Sequence, residues 1–166
     1  MSNLLKFCPK CGRKHLVSKK KSNRYTCRYC SFLFYFNPAP CVGAIILKDK
    51  KVLLGRRKNE PYKGYWDVPG GFMEAKETPE EALKREMKEE LSVDIIIDDL
   101  IGFFPDTYGE KGVPTINIFY FAKIKKGRLK AATDMAELKW FDLKKLPKKI
   151  AFQNSKDVLR LIQSMV

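Results

Sequence analysis

The stretch Gly70-Gly71-Phe72-Met73-Glu74-Ala75-Lys76-Glu77-Thr78-Pro79-Glu80-Glu81-Ala82-Leu83-Lys84-Arg85-Glu86-Met87-Lys88-Glu89-Glu90-Leu91 gathers seven glutamates into 22 residues of a chain whose formal net charge is +14. Thr78 is a good helix N-cap, with Pro79 in the first turn and Glu81 three residues after the cap, the arrangement of a capping box. On a wheel of about 100° per residue, with Ala82 at zero, Glu86 falls near 40°, Glu90 near 80°, Leu83 near 100°, Met87 near 140° and Leu91 near 180°. Glu86 and Glu90 therefore stand inside the apolar arc. Glu81, Lys84, Arg85 and Lys88 take the other side. A solvated, lysine-balanced helix would put every charge there, so that reading accounts for only half of this one.

Two like charges at i, i+4 oppose each other by roughly 0.2–0.5 kcal/mol even in water, and burying an uncompensated carboxylate costs several times more. A cation is expected to face them. Glu89, about 60° from Glu86, joins from the rim. Three carboxylates on one edge suit Mg²⁺ or Mn²⁺, hard ions that take oxygen ligands and keep waters and substrate phosphates in their shells. Gly70 and Gly71 carry no side chain, so their backbone can approach the metal site closely, and Gly70 is counted with Glu86, Glu89 and Glu90 as a metal-site residue.

Four of the five cysteines form Cys8-Pro9-Lys10-Cys11 and Cys27-Arg28-Tyr29-Cys30. Two residues between thiolates let each pair hold one tetrahedral ion from a tight turn, and four sulfurs close the shell, so Cys8, Cys11, Cys27 and Cys30 are expected to bind a structural Zn²⁺. Two disulfides would need an oxidising compartment. His15, between the pairs, is a spare ligand candidate or an exposed side chain. Cys41 begins an apolar strand and reads as a small buried residue. The ribbon is too small to hold together without metal. Its Lys19-Lys20-Lys21 tip and its aromatics can grip RNA by charge and stacking, or the Phe32-Leu33-Phe34-Tyr35-Phe36 run packs as a strand against the main domain.

At 166 residues and 45% hydrophobic content the chain suits one ordinary domain plus a small appendage. The boundaries expected are 1–36 for the ribbon and 37–166 for the main domain, with Pro38 and Pro40 marking the join. No apolar run approaches the roughly 20 residues of a membrane span, and the N-terminus lacks the pattern of a secretory signal, so a cytoplasmic protein without a membrane partner is expected. Residues 1–48 hold ten Lys/Arg and no acid, residues 49–122 eleven against fifteen acids, and residues 123–149 ten against three. The basic flanks attract a polyanion such as RNA, steer a diphosphate inward, or merely maintain solubility.

Val42–Leu47 and Val52–Arg57 read as a hairpin around Lys48-Asp49-Lys50-Lys51. Trp66 to Gly71 is a short strand broken by proline and glycines. Val93–Ile97, Thr115–Lys125 and Leu138–Phe141 are strand-like, and Ser155–Met165 is an amphipathic helix. Mixed strands with two helices give an α/β sandwich.

Gly71, five residues, Glu77, seven residues, then Arg85-Glu86-Met87-Lys88-Glu89-Glu90 resembles the Nudix box, the signature of hydrolases that cleave nucleoside diphosphates linked to another group. Val52-Leu53-Leu54-Gly55-Arg56-Arg57, Trp66-Asp67-Val68-Pro69-Gly70-Gly71 and Lys139 to Pro147 are similar to the same family, and the four-cysteine head resembles that of its zinc-ribbon subfamily, which contains NADH pyrophosphatases. Two departures stand out. Ser92 occupies the place of the box's last glycine, where a left-handed residue is needed at a cost of roughly 1 kcal/mol. Ile101 to Gly112 lacks the Ser-Gln-Pro-Trp-Pro-Phe-Pro run typical of NADH pyrophosphatases.

The resemblance implies an α/β/α sandwich with a mixed sheet behind a zinc ribbon, and a metal-dependent pyrophosphohydrolase acting on a nucleoside diphosphate derivative such as ADP-ribose or an NAD(H)-like dinucleotide. Glu77 and Arg85 brace the loop and helix in that family, and a helix glutamate or an acid before Trp140, here Asp134 or Glu137, serves as general base. Arg56, Arg57 and Lys63 are candidates for phosphate contact; Tyr62, Trp66, Phe104 and Tyr108 are candidates for base stacking. Related enzymes commonly form homodimers. The competing readings are an RNA-directed enzyme that removes a nucleotide cap and a non-catalytic nucleic-acid-binding regulator on the same scaffold.

Overall fold

The computed structural model describes residues 7–14, 16–18, 23–109 and 112–165. His15, the Lys19-Lys20-Lys21 tip and the first six residues lie outside them. The chain divides into two compact units between Pro38 and Ala39.

The smaller unit is an antiparallel three-stranded sheet of β1 (Leu16–Ser18), β2 (Arg24–Cys27) and β3 (Leu33–Tyr35), in that order. The aromatic run expected to pack as a strand on the main domain thus supplies the third strand of the ribbon's own sheet. Each cysteine pair opens a tight turn: the Gly12 amide donates to the Cys8 carbonyl and the Ser31 amide to the Cys27 carbonyl.

The larger unit is built from β4 (Ala39–Lys48), β5 (Lys51–Arg57), β6 (Trp66–Asp67), β7 (Gly70–Phe72), α1 (Pro79–Leu91), β8 (Val93–Tyr108), β9 (Val113–Gly127), β10 (Met135–Asp142) and α2 (Gln153–Ser164). Its sheet runs β10-β5-β4-β9-β8, with β6 on β5 and β7 on β4. β4 and β9 are parallel and the other pairs antiparallel, so the sheet is mixed. The β4–β5 hairpin closes through Asp49 and Lys50, both at positive φ, as the twist of a two-residue hairpin loop requires.

Alternation along the central strands sorts their side chains into two cores. Val42, Ala44, Ile46, Leu53, Ile118 and Tyr120 pack with Ala82, Leu83, Met87 and Leu91 of α1. Ile45, Val52, Leu54 and Phe119 pack with Val158, Leu159 and Ile162 of α2. The result is the expected α/β/α sandwich.

Two elements differ from the sequence reading. The Trp66–Gly71 strand is two strands on two partners, since Val68 and Pro69 carry the chain from β5 across to β4. Val93–Ile97 is only the start of a 16-residue strand. Irregularities at Asp94/Ile95, between Ile97 and Leu100, and at Leu100/Gly102 interrupt its period-two pattern, and Pro105 is tolerated because β8 is an edge strand.

Candidate active site

The helix α1 starts as its sequence dictates. The Thr78 hydroxyl accepts from the Glu81 amide, and the Glu81 carboxylate accepts from the Thr78 amide. It ends at Ser92 in the left-handed conformation, φ 59° and ψ 33°, with the Ser92 amide donating back to Lys88 and Met87 carbonyls. Between these caps α1 lays Ala82, Leu83, Met87 and Leu91 into the core and carries Glu90 in with them, only 5% exposed.

Glu90 meets β7. Its Oε2 accepts from the Gly70 amide at 2.9 Å, and Gly71 lies so close to Glu86 that a Cβ there would stand 2.5 Å from the Glu86 Oε1. Arg85 ties the frame: Nε and Nη2 grip both oxygens of Glu77 at 2.7 and 3.0 Å, Nη2 donates to the Phe72 carbonyl at 3.0 Å, and Nη1 to Glu86 at 2.7 Å. Glu89 is half exposed and 3.5 Å from Arg85 Nη1. Glu77, held by Arg85 and by the Glu74 amide, has its carboxyl pulled down to about 2.

The inner pair behaves in the opposite sense. Burial raises Glu86, against the pull of Arg85. Burial raises Glu90 well above the carboxylate range, and Glu86, Asp67 and Asp134 add like charge. Two carboxylates strained by burial and by each other form a donor set that suits a divalent cation. Gly70, Gly71, Arg85, Glu86, Glu89, Glu90 and Asp134 line the same depression.

Asp134 reaches it because the loop before β10 is tied to the end of α1. The Lys130 and Ala132 amides donate to the Leu91 and Glu90 carbonyls, satisfying helix-end acceptors. Asn59 Nδ2 then donates to Asp134 Oδ1 at 2.8 Å.

A second, continuous cleft shares Gly70, Gly71, Phe72, Glu90 and Asp134 with this depression. Its aromatic wall is Tyr108 stacked on Phe152, with centroids 5.5 Å apart and planes 21° apart, and Phe72 edge-on to Tyr108 at 5.1 Å. Arg57 lies over the Phe152 ring at 4.9 Å, donates to the Pro61 carbonyl at 2.8 Å, and pairs with Asp67 at 3.4 Å. Asp67 is buried, accepts from Ser155 Oγ at 2.6 Å and the Val68 amide at 3.0 Å, and is pushed up to about 6 by burial.

Of the residues singled out from sequence, Glu86, Glu89, Glu90, Arg85, Glu77 and Gly70 come together, and Arg57, Tyr108 and Asp134 stand beside them. Three do not. Arg56 and Glu137 pair with each other at 3.0 Å on the exposed side of β5 and β10, and neither lines the cleft. Trp66 packs edge-on against Phe141 at 4.7 Å on the α2 side of the sheet. Phe152, Asp67, Ser155 and Asn117 line the cleft without having been singled out. Asp67 lies within the Trp66–Gly71 run, while no local pattern marks Phe152, Ser155 and Asn117, which elements distant in sequence bring together.

In the smaller unit the four cysteine sulfurs all lie within 4.8 Å of one another, with Cys8–Cys30 and Cys11–Cys27 at 3.7 Å. A tetrahedron with Zn–S bonds of about 2.3 Å has edges of about 3.8 Å, so the set fits zinc and is too wide for disulfides. Amides of Cys30 and Tyr29 pull the Cys27 thiol down to about 6, while burial and the three neighbouring sulfurs push Cys30 up to about 11, so the sulfurs share protons when no cation stands among them. Cys41 is buried, as expected, and its thiol is pushed up to about 12 by burial.

The NUDIX domain profile matches residues 37–162. The chain is 38% identical over 143 residues to the ADP-ribose pyrophosphatase of Methanocaldococcus jannaschii, covering 86% of this chain and 80% of that protein. It is 30% identical over 149 residues to the NAD-capped RNA hydrolase NudC of Vibrio atlanticus, covering 89% of this chain and 53% of that protein, so it spans about half the length of that relative. Among solved structures it is similar to a NUDIX hydrolase from Nitrosomonas europaea, with a TM-score of 0.76, 29% identity, and coverage of 96% of this chain and 91% of that one.

Proposed function

The chain belongs to the Nudix hydrolase family, and on that premise we propose that it uses Mg²⁺ or Mn²⁺ to hydrolyse the diphosphate of ADP-ribose or a closely related nucleoside diphosphate derivative, releasing a nucleoside monophosphate. The observation that carries this reading is the meeting of Glu86 and Glu90 with the Gly70-Gly71 main chain beside an aromatic-walled cleft.

Glu86, Glu89 and Glu90, with the Gly70 main chain beside them, would hold the cation, which when bound supplies charge neutralisation and a more acidic water. Arg85 and Glu77 position the carboxylates. Asp134 lines both depressions and is the base this arrangement favours, taking a proton from the water whose oxygen joins one phosphorus as the bridging P–O bond breaks. Glu137, occupied by Arg56, is set aside. Arg57 and the Tyr108–Phe152 wall receive the nucleotide end.

Hydrolysis of ADP-ribose with and without added Mg²⁺ or Mn²⁺, in wild type and Glu90→Gln, tests the reading. At least a tenfold loss at saturating metal is expected, and a smaller one removes Glu90 from the metal-holding set. The match to an NAD-capped RNA hydrolase and the basic flanks favour a second reading, cap removal from RNA. Assaying NAD-capped RNA and NADH alongside separates the two. A kcat/KM that falls steeply with salt for RNA alone, by about 0.7 log units per log of salt for each phosphate contacted, supports the RNA reading.

A further inference from the structure

Asn117 sits on β9, opposite Phe104 of β8 and beside Cys41 of β4, and lines the cleft while being only 9% exposed. Both hydrogens of its amide are spent inside the protein. Nδ2 donates to the Phe104 carbonyl and to the Thr115 hydroxyl, each at 3.1 Å. A main-chain carbonyl can only accept, so the amide cannot be turned over without setting oxygen against oxygen. The orientation of Oδ1 is thereby fixed.

Among the described residues no donor reaches that oxygen, yet no buried side-chain oxygen or nitrogen lacks a partner. Oδ1 is therefore open to the space Asn117 borders, and the cleft presents a rigid acceptor near its floor. The Tyr108–Phe152 pair walls the same cleft, and Glu90 marks its phosphate end. A nucleotide whose flat base carries an amino group would meet all three features at once.

We infer that Asn117 is a specificity-determining residue whose Oδ1 accepts the 6-amino group of adenine, with Thr115 as the positioning residue that pins the amide. The inference rests on the reading of the cleft as a nucleotide site and names the base that it takes. A purine with a carbonyl at position 6 would set acceptor against acceptor and leave two buried oxygens unpaired, the costly case for a polar contact.

Calorimetric titration of the full chain with AMP, IMP and purine riboside 5′-monophosphate reads the contact without any hydrolysis. Wild type is expected to bind AMP at least tenfold more tightly than either analogue, and Asn117→Ala to bring the three within about threefold by weakening AMP and relieving IMP, with purine riboside monophosphate little changed. If Asn117→Ala does not fold, Thr115→Val, which keeps Asn117 but frees its amide, is expected to reduce the selectivity in the same direction. AMP and IMP binding equally to wild type, selectivity surviving in the variant, or no AMP binding at millimolar concentration overturns the inference. Protein that selects AMP but cleaves no diphosphate refutes the proposed reaction and leaves the Asn117 role standing; protein that cleaves ADP-ribose but binds AMP and IMP alike does the reverse.

Discussion

Gly70 and Gly71 are neighbours with opposite tolerances. At Gly70 φ is +150°, and a Cβ would run into the Val42 carbonyl and stand 2.7 Å from the Gly43 Cα, both main chain of β4. Gly70→Ala is expected to destabilise the larger unit by about 1–3 kcal/mol. At Gly71 the obstacle is the Glu86 carboxylate, the end of a flexible side chain, which can swing away at little cost to the fold. Gly71→Ala should therefore keep its urea midpoint close to wild type and lose at least tenfold in metal-dependent hydrolysis; full activity in it would mean that Glu86 is not needed where it stands. Asp67 gives a pH signature of its own. Its folded-state value, about 6, lies above the ordinary 3.8, so between those values the folded protein binds more protons than the unfolded chain, and stability falls as pH rises through the window. The effect is at most about 3 kcal/mol. Urea unfolding of wild type and Asp67→Asn at pH 4.5 and pH 7 should show the variant gaining on wild type as pH rises; a difference that does not move with pH would contradict the assignment.

At the scale of elements, α1 was almost fully legible because its signals are local. Thr78, Pro79 and Glu81 fix its start, and the placing of Glu86 and Glu90 among apolar residues announces which face goes inward. Ser92 at its end pays for a left-handed turn with a Cβ, so Ser92→Gly is expected to raise stability by about 1 kcal/mol, or a melting temperature gain of roughly 2–4 °C, without changing kcat/KM. A lower melting temperature would show that the serine makes a contact worth more than the strain. β8 was legible only for its first five residues, since its bulges destroy the alternation from which a strand is read. The cleft was less legible still. Phe152 stacks on Tyr108 from the far end of the chain, and Asn117 is distinguished from any other strand asparagine only by what its amide meets. The preference for Asp134 over Glu137 likewise depends on loop carbonyls and amides tied to α1, which no spacing in the sequence reveals.

The two units of the molecule are stabilised by different means. The larger holds an apolar cluster on each side of its sheet. Among the described residues of the smaller, the fully buried side chains are Cys8 and Cys27, at 2% and 1% exposure, while Phe7, Tyr29, Leu33 and Tyr35 are exposed. Its core among those residues is thus the cysteine set itself, so its folding is expected to depend on a metal held there, worth about 10–16 kcal/mol in zinc-finger peptides. One zinc per chain is expected by elemental analysis, and Cys27→Ser should abolish it. Stripping the zinc with a strong chelator should abolish amide-exchange protection in β2 and β3 while β4 and β9 remain protected, because among the described residues of the smaller unit no side chain apart from the cysteines is fully buried, whereas the larger unit holds an apolar cluster on each side of its sheet. Excess Mg²⁺ should not restore the lost protection, since a hard ion does not replace zinc among four thiolates. Protection that persists in β2 and β3 after zinc removal would mean that the three short strands hold themselves, and the sulfur geometry would then need another explanation.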